Sequence, residues 1–403
     1  MNPNKIFFLI LKRNAFLFLF LYCLLVILPR FRRICILMGM CKSIIAMGAP
    51  VSTEKVCQTR NMYLDIVKGV IIVLVVMGHS IQYGNGYVYL DGENFYDNSV
   101  FKFIYSFHMP IFMLVSGYLF NNSIEKYAPL HLFMKKMRML IIPILLFGLL
   151  DRRMGILMLH LLRGNVNILD FIREYLSFVF VDYYLWFLWS VFLNSMIIQI
   201  VHRYGDRVWL YLIIWGVSLL IPDDTLRGVY SFMYPFFVIG YLTAKHGFIC
   251  HSMSKELPIL TISSFLLFLP CLFFFERESY VYVSGQCICR ENGWHYFLLD
   301  IYRLLTGLLG STFVLCLLKL LYDRLFVQKT MSLMIILGKY SMGIYCFQTI
   351  ILSWLAGYVV PNFNEQGILP VAIMFLTVMG GSMICTYIVR KVKILNYFLL
   401  GGR

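Results

Sequence analysis

The chain alternates long apolar segments with short polar stretches. From Leu64 onwards, ten segments are long enough, or nearly so, to cross a hydrocarbon core of about 30 Å as helices. They cover residues 64–82, 101–120, 139–160, 185–202, 207–221, 229–245, 257–275, 297–318, 334–357 and 367–389. No long linker, low-complexity tract or internal repeat interrupts them. The pattern therefore predicts one all-α membrane domain over residues 61–403, a polytopic bundle of about ten transmembrane helices.

Residues 1–60 form an N-terminal extension with one further hydrophobic segment. The apolar run Ala15–Leu28 lies between basic residues and is short for a transmembrane helix. It resembles the core of a signal peptide, but no small-residue cleavage site follows it. Three interpretations remain open: an extra helix, an uncleaved signal-like segment, or upstream sequence translated from a wrongly assigned start. The third is favoured because Met62 stands directly before the first well-formed segment.

Composition and charge agree with a membrane protein. Hydrophobic residues make up 60% of the 403 positions, whereas soluble proteins usually have about 45–50%. The net charge of +15 comes mainly from loops and indicates membrane topology rather than nucleic-acid binding. In the ten-span arrangement sixteen basic loop residues lie on the side where Leu64 begins and six on the other, so both ends of the core are expected in the cytoplasm. Among the eleven cysteines only Cys287 and Cys289 are closely spaced, without the second pair of a zinc site, so no metal is predicted.

The first span carries three ionisable residues, Asp65, Lys68 and His79. Because a helix turns by about 100° per residue, Lys68 and His79 share one face and lie about 16 Å apart along the axis. Such residues are costly in a membrane unless they face a protein interior or a water-filled cavity, so the stripe indicates a functional site. The structural alternative is an Asp65–Lys68 ion pair together with a histidine at the interface.

The second span contributes His108, which lies about 10 Å from its predicted outer end. His79 is expected at a similar depth, so the two histidines meet if the first two spans pack together. A histidine with a pKa near neutrality can accept the proton of a hydroxyl as that hydroxyl attacks an acyl carbon. The alternative role for His108 is a hydrogen bond to a neighbouring helix.

A basic turn after the second span ends in Lys135 and Arg138. In an α-helix these two positions point the same way, since they are three residues apart. Two such cations can hold the phosphates of a ligand, arginine in a bidentate way and lysine as a point charge. The more common alternative for a basic loop of this kind is electrostatic anchoring at the cytoplasmic surface.

Other polar residues interrupt later spans. The charged ones are Asp151, Arg152, Arg153, Asp300 and Arg303. The first three are expected to break the third span into a shorter helix and a re-entrant piece. The spacing of Asp300 and Arg303 favours a structural salt bridge. Gln348, deep in the ninth span, is expected to hydrogen-bond across helices.

The chain resembles acyltransferase family 3, most closely its fucose 4-O-acetylase-like branch. The resemblance runs from about Leu64 to Arg390 and rests on DIVKGVIIVLVVMGHS, FHMPIFMLVSGYLF, the basic turn before IIP, YLWFLWSVF and YSMGIYCFQ. It implies ten core helices in the bacterial inner membrane. It also implies transfer of an acyl group, usually acetyl from acetyl-CoA, to a hydroxyl of a cell-surface or secreted saccharide. The expected partners are therefore acyl-CoA, a saccharide acceptor and membrane lipid, and not nucleic acid.

The resemblance also implies roles for particular residues. The family's motif of a basic residue and a histidine separated by ten residues matches Lys68 and His79, with His79 as the essential histidine. Its RxxR motif matches Lys135 and Arg138, where lysine replaces the first arginine and puts bidentate contact at that position in doubt. Many relatives have histidine where this chain has Gln348, so an acid–base role is not expected there.

Two other functions remain as alternatives. A transporter or flippase for a glycan or lipid intermediate would use the charges at 151–153 and 300–303 to line a path, but inverted repeats and paired broken helices are not found. A membrane scaffold without catalysis leaves the shared face of Lys68 and His79 unexplained. No Walker loop, GxGxxG, GxSxG or HExxH motif is present, which argues against an ATP-driven pump.

Overall fold

A computed structural model describes the protein from Asn61 onwards. The described residues are 61–84, 94–180, 182, 184–221, 226–246, 256–286, 293–323, 332–358 and 368–402. The hydrophobic run Ala15–Leu28 lies outside them. The described residues form helices and turns without β-strands, which confirms the predicted all-α class.

Fourteen α-helices make up the described part of the chain. They are α1 Met62–Gly84, α2 Ser99–Lys126, α3 Pro129–Lys136, α4 Ile142–Leu150, α5 Arg152–Leu162, α6 Ile168–Phe180, α7 Trp186–Arg203, α8 Val208–Leu220, α9 Leu226–Lys245, α10 Leu257–Phe273, α11 Gly293–Asp323, α12 Ser332–Tyr358, α13 Ile368–Lys391 and α14 Lys393–Leu399. The shorter pieces are a π-helical segment at Met137–Ile141, 3₁₀ turns at Asn94–Asp97 and Arg277–Ser279, and one helical turn at Val281–Ser284.

Five of the described helices are long and apolar enough to cross a membrane: α1, α2, α11, α12 and α13. Two shorter apolar helices, α8 and α10, coincide with further predicted spans. The remaining predicted segments fall on helices that are shorter or less apolar than these five. The structure thus agrees with a membrane helix bundle, and its longest members lie where the hydropathy pattern placed them.

The third predicted span, 139–160, is not one helix. It begins in the π-helical segment, α4 ends at Leu150, and α5 starts at Arg152. Between them Asp151 has an extended backbone, and its carboxylate accepts a hydrogen bond from the Arg153 backbone N–H at 2.9 Å. Asp151 therefore acts as an N-cap, which begins a new helix and ends the previous one. The prediction of one continuous span is therefore wrong. The break expected at the charged triplet is confirmed.

Two helix pairs approach so closely that only glycine fits at their crossings. A Cβ on any of four glycines would lie 1.8–2.0 Å from a backbone oxygen of the facing helix. The contacts are Gly69 with Met334, Gly338 with Asp65, Gly117 with Phe237 and Gly240 with Leu114. The first two join α1 to α12, and the last two join α2 to α9. Small residues at such crossings let helices in a membrane gain van der Waals contact along their backbones.

Contacts between helix ends give the directions of α1, α12 and α13. The Arg390 side chain at the end of α13 donates to the Lys339 carbonyl near the start of α12 at 2.9 Å, so these two helices are antiparallel. Gly84 at the end of α1 contacts Val371 near the start of α13. It follows that α1 and α12 run in the same direction. We call the end of the bundle that holds Asp65 the Asp65 end and the opposite one the His79 end.

Candidate active site

His79 lies in the last part of α1 and is half-buried. Its Nδ1 atom is 3.4 Å from the Gln82 Oε1 atom and 3.4 Å from the Tyr105 hydroxyl. Because an amide oxygen can only accept, the contact with Gln82 requires a proton on Nδ1. In the neutral ring this leaves Nε2 as the atom that can accept a proton.

His108 lies on α2 and is buried. Its Nδ1 donates to the Ile104 carbonyl of the same helix at 2.8 Å, so this bond is within its own helix rather than to a neighbour. The Tyr105 ring centroid is 4.7 Å from that of His108 and 6.3 Å from that of His79. The two imidazoles are also close enough to interact electrostatically. The structure thus brings the two predicted histidines together around Tyr105, and we call these three residues the histidine group.

A small, partly open cleft adjoins the histidine group through Tyr105. Its aromatic lining consists of Tyr105, Phe232, Phe275, Tyr280 and Tyr282. Polar groups come from Ser106, Ser279 and Arg303. An apolar wall with a few polar groups is typical of small-molecule sites.

Arg303 forms the predicted salt bridge with Asp300 at 2.8 Å, and both side chains are buried. The same guanidinium donates to the carbonyls of Gly285 at 2.7 Å, Ser279 at 3.0 Å and Glu278 at 2.5 Å. These bonds hold the segment 278–285 against α11. Because Ser279 and its neighbours form a wall of the cleft, the ion pair shapes that wall from behind.

Lys68 forms the ion pair that was the structural alternative. Its Nζ is 2.8 Å from the buried Asp65 carboxylate, and the lysine side chain is 21% exposed. The distance of about 16 Å along α1 prevents Lys68 from reaching the same atom as His79. The other half of that alternative, an isolated interfacial histidine, does not describe His79, which belongs to the histidine group.

Lys135 and Arg138 do not lie in one α-helix. Lys135 lies in α3, whereas Arg138 lies in the π-helical segment that begins at Met137. The Lys135 Nζ lies 3.8 Å from the centroid of the Tyr127 ring, and its hydrogen bond and charge lower the pKa of the Tyr127 hydroxyl. The Arg138 guanidinium lies 5.0 Å from the Tyr397 ring. The two cations thus contact different aromatic rings at the Asp65 end, and their common direction stays a prediction.

The triplet at 151–153 is not part of the histidine group. Asp151 caps α5 and interacts with Ser353 on α12, while Arg152 is half-buried. Arg153 is exposed and binds Asp182 at 2.5 Å and Glu174 at 3.2 Å. These contacts connect α5 to its neighbours and give the triplet a structural explanation.

Two members of the site were missed by the sequence analysis. Gln82 follows His79 by three residues, and Tyr105 precedes His108 by three, so each shares a helix face with its histidine. That spacing is the signal that would have found them. Within the described residues no three histidine, cysteine or carboxylate side chains converge as metal ligands.

A second polar cluster, also missed, lies around Asp206 in the turn between α7 and α8. The Asp206 carboxylate accepts hydrogen bonds from four side chains: His202 at 2.6 Å, Tyr241 at 2.9 Å, Tyr211 and Lys245. Burial alone would raise the pKa of Asp206, but these bonds lower it to about 2. The cluster ties the ends of α7, α8 and α9 together.

Comparison with known proteins relates this geometry to a family. A family model described as an acyltransferase domain matches residues 61–389. The chain is 29% identical over 227 residues to the Nodulation protein NolL of Sinorhizobium fredii, covering 55% of this chain and 60% of that protein. It is 26% identical over 232 residues to the Nodulation protein NolL of Mesorhizobium japonicum, covering 55% and 58%. The chain thus spans about three fifths of the length of these relatives. No solved structure matches it significantly.

Proposed function

The chain belongs to this acyltransferase family, acyltransferase family 3, and from that premise we propose that it is a membrane O-acyltransferase. The observation that carries the proposal is the histidine group, in which the Nε2 atom of His79 is left to accept a proton beside a cleft. Lys68, Arg153 and Arg303 are engaged in ion pairs within the fold. A transporter has less support, because the charges at 151–153 and 300–303 hold helices and a loop in place.

In the proposed reaction a hydroxyl oxygen of the acceptor attacks the carbonyl carbon of an acyl thioester. The hydroxyl proton passes to His79 Nε2 as the new C–O bond forms. The C–S bond then breaks, and the thiolate takes the proton from His79. General-base catalysis of this kind contributes about 10²–10⁴-fold to the rate. Gln82 holds the imidazole through Nδ1, so that Nε2 faces the reaction.

The proposed donor is acyl-CoA, and the family resemblance implies that its acyl group is acetyl. The phosphates of coenzyme A suit the cations at the Asp65 end, which we assign to the cytoplasmic face of the inner membrane with both ends of the core. Because Lys135 and Arg138 contact different aromatic rings, we propose that they bind different phosphates rather than clamp one. The pantetheine arm of coenzyme A then has to extend along the bundle to bring the thioester to His79.

The proposed acceptor is a hydroxyl of a cell-surface or secreted saccharide. The aromatic cleft at the His79 end supports this, because flat aromatic faces with a few polar groups suit a sugar ring. Its position beside Tyr105 would bring one hydroxyl of the bound sugar towards the histidine group. Modification of a polysaccharide by O-acetylation follows from this arrangement.

Transfer of labelled acetyl groups tests the function directly. Membranes that contain the protein are incubated with acetyl-CoA labelled in its acetyl group, and the saccharide fraction is analysed by NMR for O-acetyl groups. We expect label in ester linkage only when the protein is present. Label that stays in acetyl-CoA, with a saccharide acceptor present, would contradict the proposal.

Replacing both Lys135 and Arg138 with alanine should weaken donor binding. Hydrogen bonds between charged groups and phosphate are strong, so we expect the acetyl-CoA concentration for half-maximal rate to rise about 10- to 100-fold. The maximal rate should change much less, because neither residue reaches the histidine group. The measurement is the initial rate of label transfer as a function of acetyl-CoA concentration.

The matched control replaces the exposed Lys391 and Lys393 with alanine. Like the Lys135/Arg138 variant, this change removes two positive charges from the Asp65 end of the bundle. We expect the donor dependence of this variant to equal that of the wild type. If the Lys135/Arg138 variant and the control show the same dependence of rate on acetyl-CoA concentration, the two cations serve only as membrane anchors.

A further inference from the structure

Gln348 on α12 is fully buried, and both polar atoms of its amide are without a hydrogen-bond partner among the described residues. The hydrogen bond expected across helices is therefore not formed within that part of the chain. Buried amides are nearly always paired, because the loss of water is otherwise uncompensated. An amide of this kind points to a ligand that enters the bundle.

The polar neighbours of Gln348 on the same helix do have protein partners. The Tyr345 hydroxyl accepts a hydrogen bond from the Phe187 backbone N–H at 3.3 Å. The Thr349 hydroxyl lies 3.3 Å from that of Tyr184. The helix is thus held on both sides of Gln348 by the segment that leads into α7. The lack of a hydrogen-bond partner is therefore specific to the Gln348 side chain and does not come from loose packing around it.

The segment that holds this part of α12 is itself strained. Leu185 has φ of 54°, in the left-handed region that leucine rarely adopts. Strain of this kind persists where the surrounding structure requires it and is concentrated at functional sites. Here it places Tyr184 and Phe187 against α12 on the two sides of Gln348.

Gln348 and His79 lie at the same depth in the bundle. The helices α1 and α12 run in the same direction and cross where Gly69 and Gly338 make their close contacts. His79 follows Gly69 by ten residues, and Gln348 follows Gly338 by ten residues. Both are therefore about 15 Å beyond the crossing, measured along their helices.

We propose that Gln348 binds the carbonyl oxygen of the acyl group through its side-chain N–H during transfer. This inference rests on the proposed acyl transfer and assigns a further catalytic residue to it. When the acceptor hydroxyl attacks, its proton goes to His79 and the carbonyl oxygen becomes negative. The C–S bond then breaks, the thiolate takes the proton, and Gln348 forms and loses only hydrogen bonds. A neutral amide is suited to this role because it donates without titrating.

Replacement of Gln348 with methionine tests the assignment. Methionine has a similar size and no N–H donor. We expect turnover to fall about 10²–10³-fold, as for the loss of one donor to a developing oxyanion, with the acetyl-CoA concentration for half-maximal rate nearly unchanged. Without donor, the thermal midpoint of the variant in detergent should equal or exceed that of the wild type, since an unpaired buried polar group has been removed.

The matched control is Gln199→Met on α7, where the amide donates to the Pro129 carbonyl at 2.8 Å. We expect wild-type turnover for this control. Turnover within about threefold of wild type in Gln348→Met overturns the assignment. A lower thermal midpoint together with lower turnover also overturns it, because it shows that the amide supports the fold. If the wild-type protein shows no acyl transfer, the proposed function itself is refuted. The acyl carbonyl is then also refuted as the ligand of Gln348.

Discussion

Replacing His79 with alanine is expected to lower the rate of acyl transfer by about 10²–10⁴-fold. The reason is that His79 Nε2 is the proposed acceptor of the hydroxyl proton, and the methyl group of alanine cannot take it. The protein should still insert at normal levels, because His79 is only half-buried and its contacts with Gln82 and Tyr105 are long. The measurement is the initial rate of label transfer per amount of protein in the membrane.

The control for this variant is His160→Ala. His160 is exposed on α5 and is not part of the histidine group. We expect this change to leave the rate as in the wild type. A His79→Ala protein that keeps full activity would place the proton acceptor elsewhere and remove the mechanism, while the family assignment would stand.

Replacing Arg303 with methionine is expected to reduce stability by about 3–5 kcal/mol. The change leaves the Asp300 carboxylate buried without its cation, and it removes the donor from the carbonyls of Gly285, Ser279 and Glu278. The segment 278–285 should then detach from α11, and the cleft should lose a wall. The measurements are the thermal midpoint in detergent and the amount of folded protein in the membrane.

Two comparisons separate this effect from a general sensitivity to loss of charge. Arg153→Met removes an exposed arginine that also has two acidic partners, and we expect a loss of about 1 kcal/mol or less. The double variant Arg303→Met with Asp300→Leu should be more stable than Arg303→Met alone, because no unpaired charge remains buried. If Arg303→Met melted at the wild-type temperature, the ion pair would have no part in holding the segment.

Several features of the site could be predicted because they depend on residues close in sequence. Helical geometry predicted the Asp300–Arg303 pair and offered the Asp65–Lys68 pair as an alternative, and the structure contains both. The shared face of Lys68 and His79 indicated a functional site on α1 without any knowledge of tertiary contacts. The π-helical segment that contains Arg138 was not predicted, because a π-helical turn and an α-helical turn look the same in residue spacing.

What the sequence by itself determined was the membrane class and the positions of the long helices. These follow from transfer free energies and residue types that add along the chain, so they need no knowledge of distant contacts. Only the tertiary structure decided that His79 and His108 meet around Tyr105 and that Gln348 is left without a partner at the depth of His79. Those features depend on where helices cross, and the crossings are set by glycines far apart in sequence whose missing side chains let two backbones touch.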